Sequence, residues 1–476
     1  MQRNGGGPPL SLTRHASGPY REKFEMIIPS RLMRVLESTF VRKFATQSLV
    51  AFSIKVGSSG LAFLMFVALA SAMDQVSFGI FGTFFSLATF CAAVGSFGQR
   101  ANVIRFAAGY DQLGQDHLRR GVTVFGYRLV LFGTVVAGIG GTLFAFLFLD
   151  ISGANLLWLG VPVMVLGIGL TEFQSRALRT NAGVALVLLP RGVFWRVFII
   201  VVTAVAISLF GRAQDTYSTW VWIIGISLLV TALLQWLAYE GKHPDKSFRG
   251  PMEMETAIWK RELAGPWTSL VVVSATTNLA VFMVGALLSF EQAGPFFAAL
   301  RLTQLLNLLM LATEVILNPM ISRAIASKRW GQVQRACTLT AVLGGGFALI
   351  GIIGYFLAGK FLLNLFSPEF TSAYTTLLIL AVGFVVNTLA GPTSPLLQMS
   401  GHAAALARFQ LIANVGSLCC MPLFIPLFGI EGAAVCITGS MITWNVQAWL
   451  YARKKLKIDP TIISLLNAPK GKSSQG

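Results

Sequence analysis

Apolar runs of about 20 residues, each long enough to cross a hydrocarbon core of roughly 30 Å, recur along nearly the whole chain. No other feature limits the fold as severely. In lipid a backbone must satisfy its own polar groups, so only helices and closed barrels span a bilayer. Barrel strands are about 10 residues long and alternate in polarity, and that pattern is absent. Charged residues make up only 12% of the 476 positions, against about 25% in soluble domains. The sequence therefore predicts an all-α polytopic membrane protein. Twelve spans are expected, near 46–72, 77–98, 122–148, 153–173, 185–210, 218–239, 265–289, 293–319, 336–358, 373–392, 403–428 and 430–451.

Charge orients these spans. With the N-terminus inside, the inner segments hold 31 of the 37 Lys and Arg. The outer loops hold only Arg212 and Lys360, and Lys55, Arg128, Arg196 and Arg301 fall within spans. This is the positive-inside pattern, and it predicts that both termini are cytoplasmic. The net charge of +18 then follows from topology and calls for no nucleic-acid partner. The outer loops are too short for a catalytic domain. Residues 1–45 form a tail without the apolar core of a cleavable signal peptide. Within it Leu32, Leu36, Phe40 and Phe44 share one face of a basic interfacial helix. The five cysteines lie in or beside apolar runs, without metal-site spacing, and read as small buried side chains.

The chain also repeats itself. LAFLMFVALAS at 61–71 returns as LAVFMVGALLS at 279–289, identical at six of eleven positions. Asp74-Gln75 matches Glu291-Gln292, and Gly114-Gln115 matches Gly331-Gln332, all at a shift of about 217 residues. Spans one and two thus pair with spans seven and eight in the same orientation. This predicts an N-lobe at 46–239, an inter-lobe linker at 240–264, a C-lobe at 265–451 and a tail at 452–476. Parallel repeats of this kind are a transporter architecture with the substrate site between the halves.

Polar residues inside the spans mark that site. Arg301, Gln304, Asn307, Glu314 and Asn318 fall on one arc of span eight. Lys55 lies about 14 Å deep along span one by helical rise. A charge near the bilayer centre costs about 2.5–3.5 kcal/mol on insertion scales, and such charges are functional by default. Lys55 and Arg301, with Arg196 and Arg191 beside them, are the expected cavity cations; guanidinium and ammonium groups suit phosphate. Glu314 and Glu172 are the acids available for cation coupling, and Asp74 reads as a loop residue. Carboxylate pairing that merely braces the bundle is the competing role for Lys55 and Arg301. Arg100, Arg105, Arg176 and Arg179 read as topology anchors. Pro422 and Pro426, near span ends, signal kinks.

The run LASAMDQVSFGIFGTFFSLATFCAAVGSFGQRANVIRFAA at 69–108 resembles the span one to span two region of the polysaccharide transporters. These are the Wzx-like O-antigen and exopolysaccharide flippases of the multidrug/oligosaccharidyl-lipid/polysaccharide (MOP) superfamily. LLQMSGH at 396–402, IPLFGIEGAAV at 425–435 and ARKKLKIDP at 452–460 resemble the last three spans of that family. The resemblance implies two six-helix lobes around a central cavity and alternating access. It implies an undecaprenyl-pyrophosphate-linked oligosaccharide as cargo, moved across the bacterial inner membrane, with H+ or Na+ coupling. It further implies membrane lipids, a polysaccharide polymerase and chain-length machinery as partners, with no cofactor and no enzymatic activity. A lipid II flippase and a multidrug exporter of the same superfamily remain open. A membrane glycosyltransferase or polymerase would need a catalytic loop that the short outer segments do not provide.

Overall fold

The computed structural model describes residues 52–149, 151, 155–180, 182–211, 216–242, 250–306, 321, 324–325 and 329–462. The tail before residue 52, where the interfacial helix is expected, part of the linker, Asn307, Glu314 and Asn318 lie outside the described residues. The protein is all-helical, in two six-helix lobes. Ten of the described helices are long and apolar enough to cross a membrane. In chain order the N-lobe contains α1 (Phe52–Ala72), α2 (Gln75–Gly95), α3 (Gln99–Gln112), α4 (Asp116–Phe148) and α5 (Asn155–Ala177). Its last two spans are α6 (Val184–Phe210) and α7 (Tyr217–Lys242). A short linker helix, α8 (Thr256–Arg261), leads to α9 (Ala264–Leu287) and α10 (Phe290–Thr303). The C-lobe continues with α11 (Trp330–Asn364), α12 (Tyr374–Leu389), α13 (Thr393–Met399) and α14 (Ala403–Tyr451).

α14 is two spans joined at a kink. Gly429 has φ 64 and ψ −147, a backbone shape open to glycine and costly for other residues. The break falls between the spans expected at 403–428 and 430–451. Pro422 and Pro426 lie inside the helix, ahead of it.

The ends of α2 and α10 hold the lobes together. Asp74 caps α2, accepting from the Val76 and Ser77 amides at 3.2 and 3.3 Å. Ser289 caps α10, accepting from the Gln292 amide at 3.3 Å. Gly79 and Gly294 each stand five residues beyond their cap. A Cβ on Gly79 would lie 1.8 Å from the Phe290 carbonyl oxygen, so the helices touch only because this residue has none. The Gln75 side-chain amide closes the contact by donating to the Glu291 carbonyl at 2.9 Å. The text match sets Asp74 against Glu291, whereas the caps set it against Ser289. Helix starts are fixed by capping chemistry, and the letter match had slipped by two residues there.

At the opposite end of the bundle the linker folds back onto its own lobe. Trp259 is fully buried and donates to the Tyr110 hydroxyl at 3.1 Å, which itself donates to Glu255 Oε2 at 2.7 Å. Burial, with Glu255 beside it, lifts the Tyr110 phenol above its ordinary pKa. After α14 the chain does the same to the C-lobe. Gln334 exchanges two hydrogen bonds with the Asp459 backbone, at 2.6 and 2.9 Å. The segment read as a hydrophilic linker is thus partly a strap, anchored by its one tryptophan. The cysteines divide: Cys91, Cys337 and Cys436 are buried, but Cys419 and Cys420 are exposed on α14, which corrects the uniform burial expected. A bilayer-facing helix side is as apolar as a core, so the letters do not separate the two.

Candidate functional site

Aromatic side chains seal the lobes together just past the α2–α10 contact. Phe78 of α2, Phe297 of α10, and Phe366 and Phe370 between α11 and α12 are buried. Their rings meet at centroid distances of 5.4 Å for Phe78–Phe370 and 5.8 Å for Phe78–Phe297. Arg301 lies one turn beyond Phe297, on the side of the seal away from Asp74. Its guanidinium carbon stands 4.4 Å from the Phe297 ring centre, 5.0 Å from Phe66 of α1 and 5.4 Å from Phe85 of α2. Phe66 packs edge-on against both other rings, at 5.2 and 5.4 Å. One cation from the C-lobe therefore sits in a cage of three rings, two of them from the N-lobe.

The energetics fit. Each cation–π contact contributes about 0.5–2 kcal/mol, more when desolvated. Three together match the insertion cost of about 2.5–3.5 kcal/mol. The cage holds the charge without using its hydrogen-bond donors. Arg301 donates through Nη1 to Gln304 Oε1 at 3.1 Å, and its Nε has no partner among the described residues. No carboxylate pairs with Arg301 among those residues. A guanidinium has five N–H donors, so this one keeps donors for a ligand. Gln304 is exposed and extends the same polar arc.

The other predicted cations gather in the N-lobe. Arg196 of α6 donates to the carbonyl and hydroxyl oxygens of Ser58 on α1 and to the Gly192 carbonyl at 3.0 Å. Ser58 is one turn from Lys55, so Arg196 joins the Lys55 face of α1; Lys55 itself is half-buried. Arg191 does something else. It hydrogen-bonds and ion-pairs with Glu172 of α5. Arg100 and Arg176 approach the other Glu172 oxygen, each at 3.6 Å. The residues expected to act separately, Arg191 as a cavity cation and Glu172 as a coupling acid, are thus bound to each other. Arg100, read as an anchor, is buried and also donates to the Ala92 carbonyl at 3.1 Å. Asp74 is exposed and engaged as a helix cap.

Sequence reading missed the phenylalanine cage. Phe297 and Arg301 stand four apart, the spacing at which helix side chains meet, and that signal was available. Phe66 and Phe85 gave none, because phenylalanine is ordinary on any membrane helix. No group of three or more His, Cys, Asp or Glu able to hold a metal occurs among the described residues.

Fold and site together define a multi-pass membrane protein built as two helical lobes around an inter-lobe cation. No protein-family model and no curated protein matches the sequence. Solved structures do resemble it. One is an inward-facing multidrug resistance MATE family transporter of the MOP superfamily: TM-score 0.63, 16% identity, covering 89% of this chain and 100% of that one. A second is an outward-facing MATE transporter: TM-score 0.58, 14% identity, 86% of this chain and 95% of that one. A third is a MOP superfamily transporter from Pyrococcus furiosus, described as having a binding pocket of reversed polarity: TM-score 0.57, 16% identity, 86% and 95%. At these identities the likeness is one of fold: this chain has the two-lobed MATE architecture.

Proposed function

We propose that the protein is an alternating-access transporter of an anionic lipid-linked substrate. The substrate class that fits is undecaprenyl-pyrophosphate-linked oligosaccharide, carried from the inner to the outer leaflet of the bacterial inner membrane. The observation that carries this reading is Arg301: a cation between the lobes, compensated by aromatic faces, with donors left for an anion. Arg196 adds positive charge on the N-lobe side, beside the Lys55 face of α1. Glu172, the acid whose charge reaches Arg196, has both oxygens engaged by arginines. A pyrophosphate would dock on the donors of Arg301 and Gln304, and the glycan would occupy the space between the lobes. With the Arg100 end in the cytoplasm, as the charge asymmetry predicts, the sealed Asp74 end makes this state closed to the outside. Release then requires the phenylalanine seal to part, which also opens the Arg301 cage. Cargo binding and gate opening share one side chain.

A cationic-drug exporter is the rival, given the multidrug transporters among the structural neighbours. Such a cargo would meet repulsion from Arg301. The deciding experiment deletes the gene and analyses the lipid-linked oligosaccharide that accumulates. Build-up on the cytoplasmic leaflet, relieved by the wild-type gene but not by Arg301→Ala at equal protein level, supports the reading. Normal surface glycan in the deletion strain, or drug sensitivity without glycan build-up, rejects it.

A further inference from the structure

A groove of about 780 Å³ runs between α6 and α7, apart from the Arg301 site. Phe194, Phe198 and Val202 of α6 face Ile226, Val230 and Leu234 of α7 across it. Most of its polar side chains are spent internally. Trp195 Nε1 donates to Ser227 Oγ at 2.8 Å, Thr231 Oγ1 to the Ser227 carbonyl at 2.7 Å, and Gln235 Nε2 to the Leu186 carbonyl at 2.9 Å. The surface left is hydrocarbon. Water has too few partners there, and an empty cleft forfeits dispersion contacts on both walls. In a bilayer its occupant is a hydrocarbon chain.

Two features narrow that chain. The first is length. The lining from Thr219 to Ala238 rises about 28 Å along α7, at 1.5 Å per residue. One leaflet of the hydrocarbon core is roughly 15 Å deep. A phospholipid acyl chain that stops at the midplane fills about half the groove, whereas a longer chain fills it all. The second is charge. Pro190 lines one end of the groove, and Arg191 follows it, in the cluster where Arg100, Arg176 and Arg191 surround the single carboxylate of Glu172. That end carries excess positive charge and suits a phosphate.

We propose that the α6–α7 groove binds the tail of a polyprenyl-type, phosphate-bearing lipid, with its head toward the arginine cluster. That this lipid is the transported cargo rests on the function proposed above; its binding does not. The test uses the full chain in nanodiscs of phosphatidylethanolamine and phosphatidylglycerol. The probe is a polyprenyl phosphate with a diazirine at its tail end, and cross-links are mapped by mass spectrometry. The expected sites are Val202 and Trp222, at the far end from Arg191. Val230→Trp and Leu234→Trp, both at exposed positions, plug the groove and should each cut that labelling at least ten-fold. Labelling at Phe356 and Leu357, exposed on α11, should not change. Undiminished labelling in both tryptophan variants overturns the proposal. So does equal labelling of α11 and the groove in the wild type, or equal competition by phosphatidylglycerol, which means an annular phospholipid fills the groove. Export of lipid-linked glycan is measured in parallel. Export without groove labelling sinks the groove alone; groove labelling without export sinks the transport reading alone.

Discussion

Arg301 and Glu172 are both charges inside the membrane-spanning region, and the protein compensates them in opposite ways. Glu172 is surrounded by three arginines, all from the N-lobe, and its oxygens are occupied. Arg301 has rings from both lobes and one glutamine. A carboxylate tied to three guanidiniums ties its helices with it. A guanidinium held by π faces keeps its N–H edges and is released when the rings separate. The first arrangement suits a brace within a lobe, the second a contact that forms and breaks between lobes.

Substitution can break or sharpen this contrast. The largest effect is expected at the brace. Glu172→Gln takes the carboxylate from the buried Arg100 and the half-buried Arg176 and Arg191 and should cost up to about 3 kcal/mol, read as a fall in Tm of the purified protein. Arg301→Ala removes the cage contacts but also the insertion cost, so its stability should change by less than about 1 kcal/mol. Equal losses in the two variants would erase the distinction. Next is the seal. Gly79→Val puts side-chain atoms where even a Cβ would meet the Phe290 carbonyl. It should hold the Asp74 end apart, seen as a longer spin-label distance between positions 75 and 291, while Arg191 stays on Glu172. An unchanged distance would show that the close approach is dispensable. Third, Phe297→Leu removes the ring nearest Arg301 and should weaken the closed state by about 1 kcal/mol, read from the same distance distribution. The smallest effect belongs to the exposed Arg105–Glu262 pair. Glu262→Gln should shift Tm by no more than about 0.5 kcal/mol equivalent; a larger loss would mean the linker strap depends on that pair.

Much of the fold was legible in the letters. Span positions follow from run lengths, because lipid sets the length of a crossing. The Gly429 break was marked by the polar Gly-Ile-Glu text between two apolar runs. The duplication was readable, but its register at α2 and α10 was not, since Asp74 and Ser289 cap by the same chemistry with different letters. The site was half legible. Arg301 stands out as a charge in an apolar run, and its Gln304 neighbour follows from helical spacing. Most of its compensation does not, because Phe66 and Phe85 come from the other lobe, remote from Arg301 in sequence. The Glu172 brace was missed for a related reason. Arg100 and Arg191 fall beside span ends, where the inside bias makes arginine common, so charge alone did not separate anchors from partners.

The most direct measurement is the affinity of the purified protein for a polyprenyl-pyrophosphate-linked oligosaccharide, in wild type, Arg301→Ala and Arg301→Lys. If Arg301 is the inter-lobe anion ligand, alanine should weaken binding at least ten-fold, about 1.4 kcal/mol. Lysine should recover part of that loss by charge, without the planar fork of arginine. Wild-type affinity in Arg301→Ala would contradict the assignment and leave Arg301 as a clasp between the lobes.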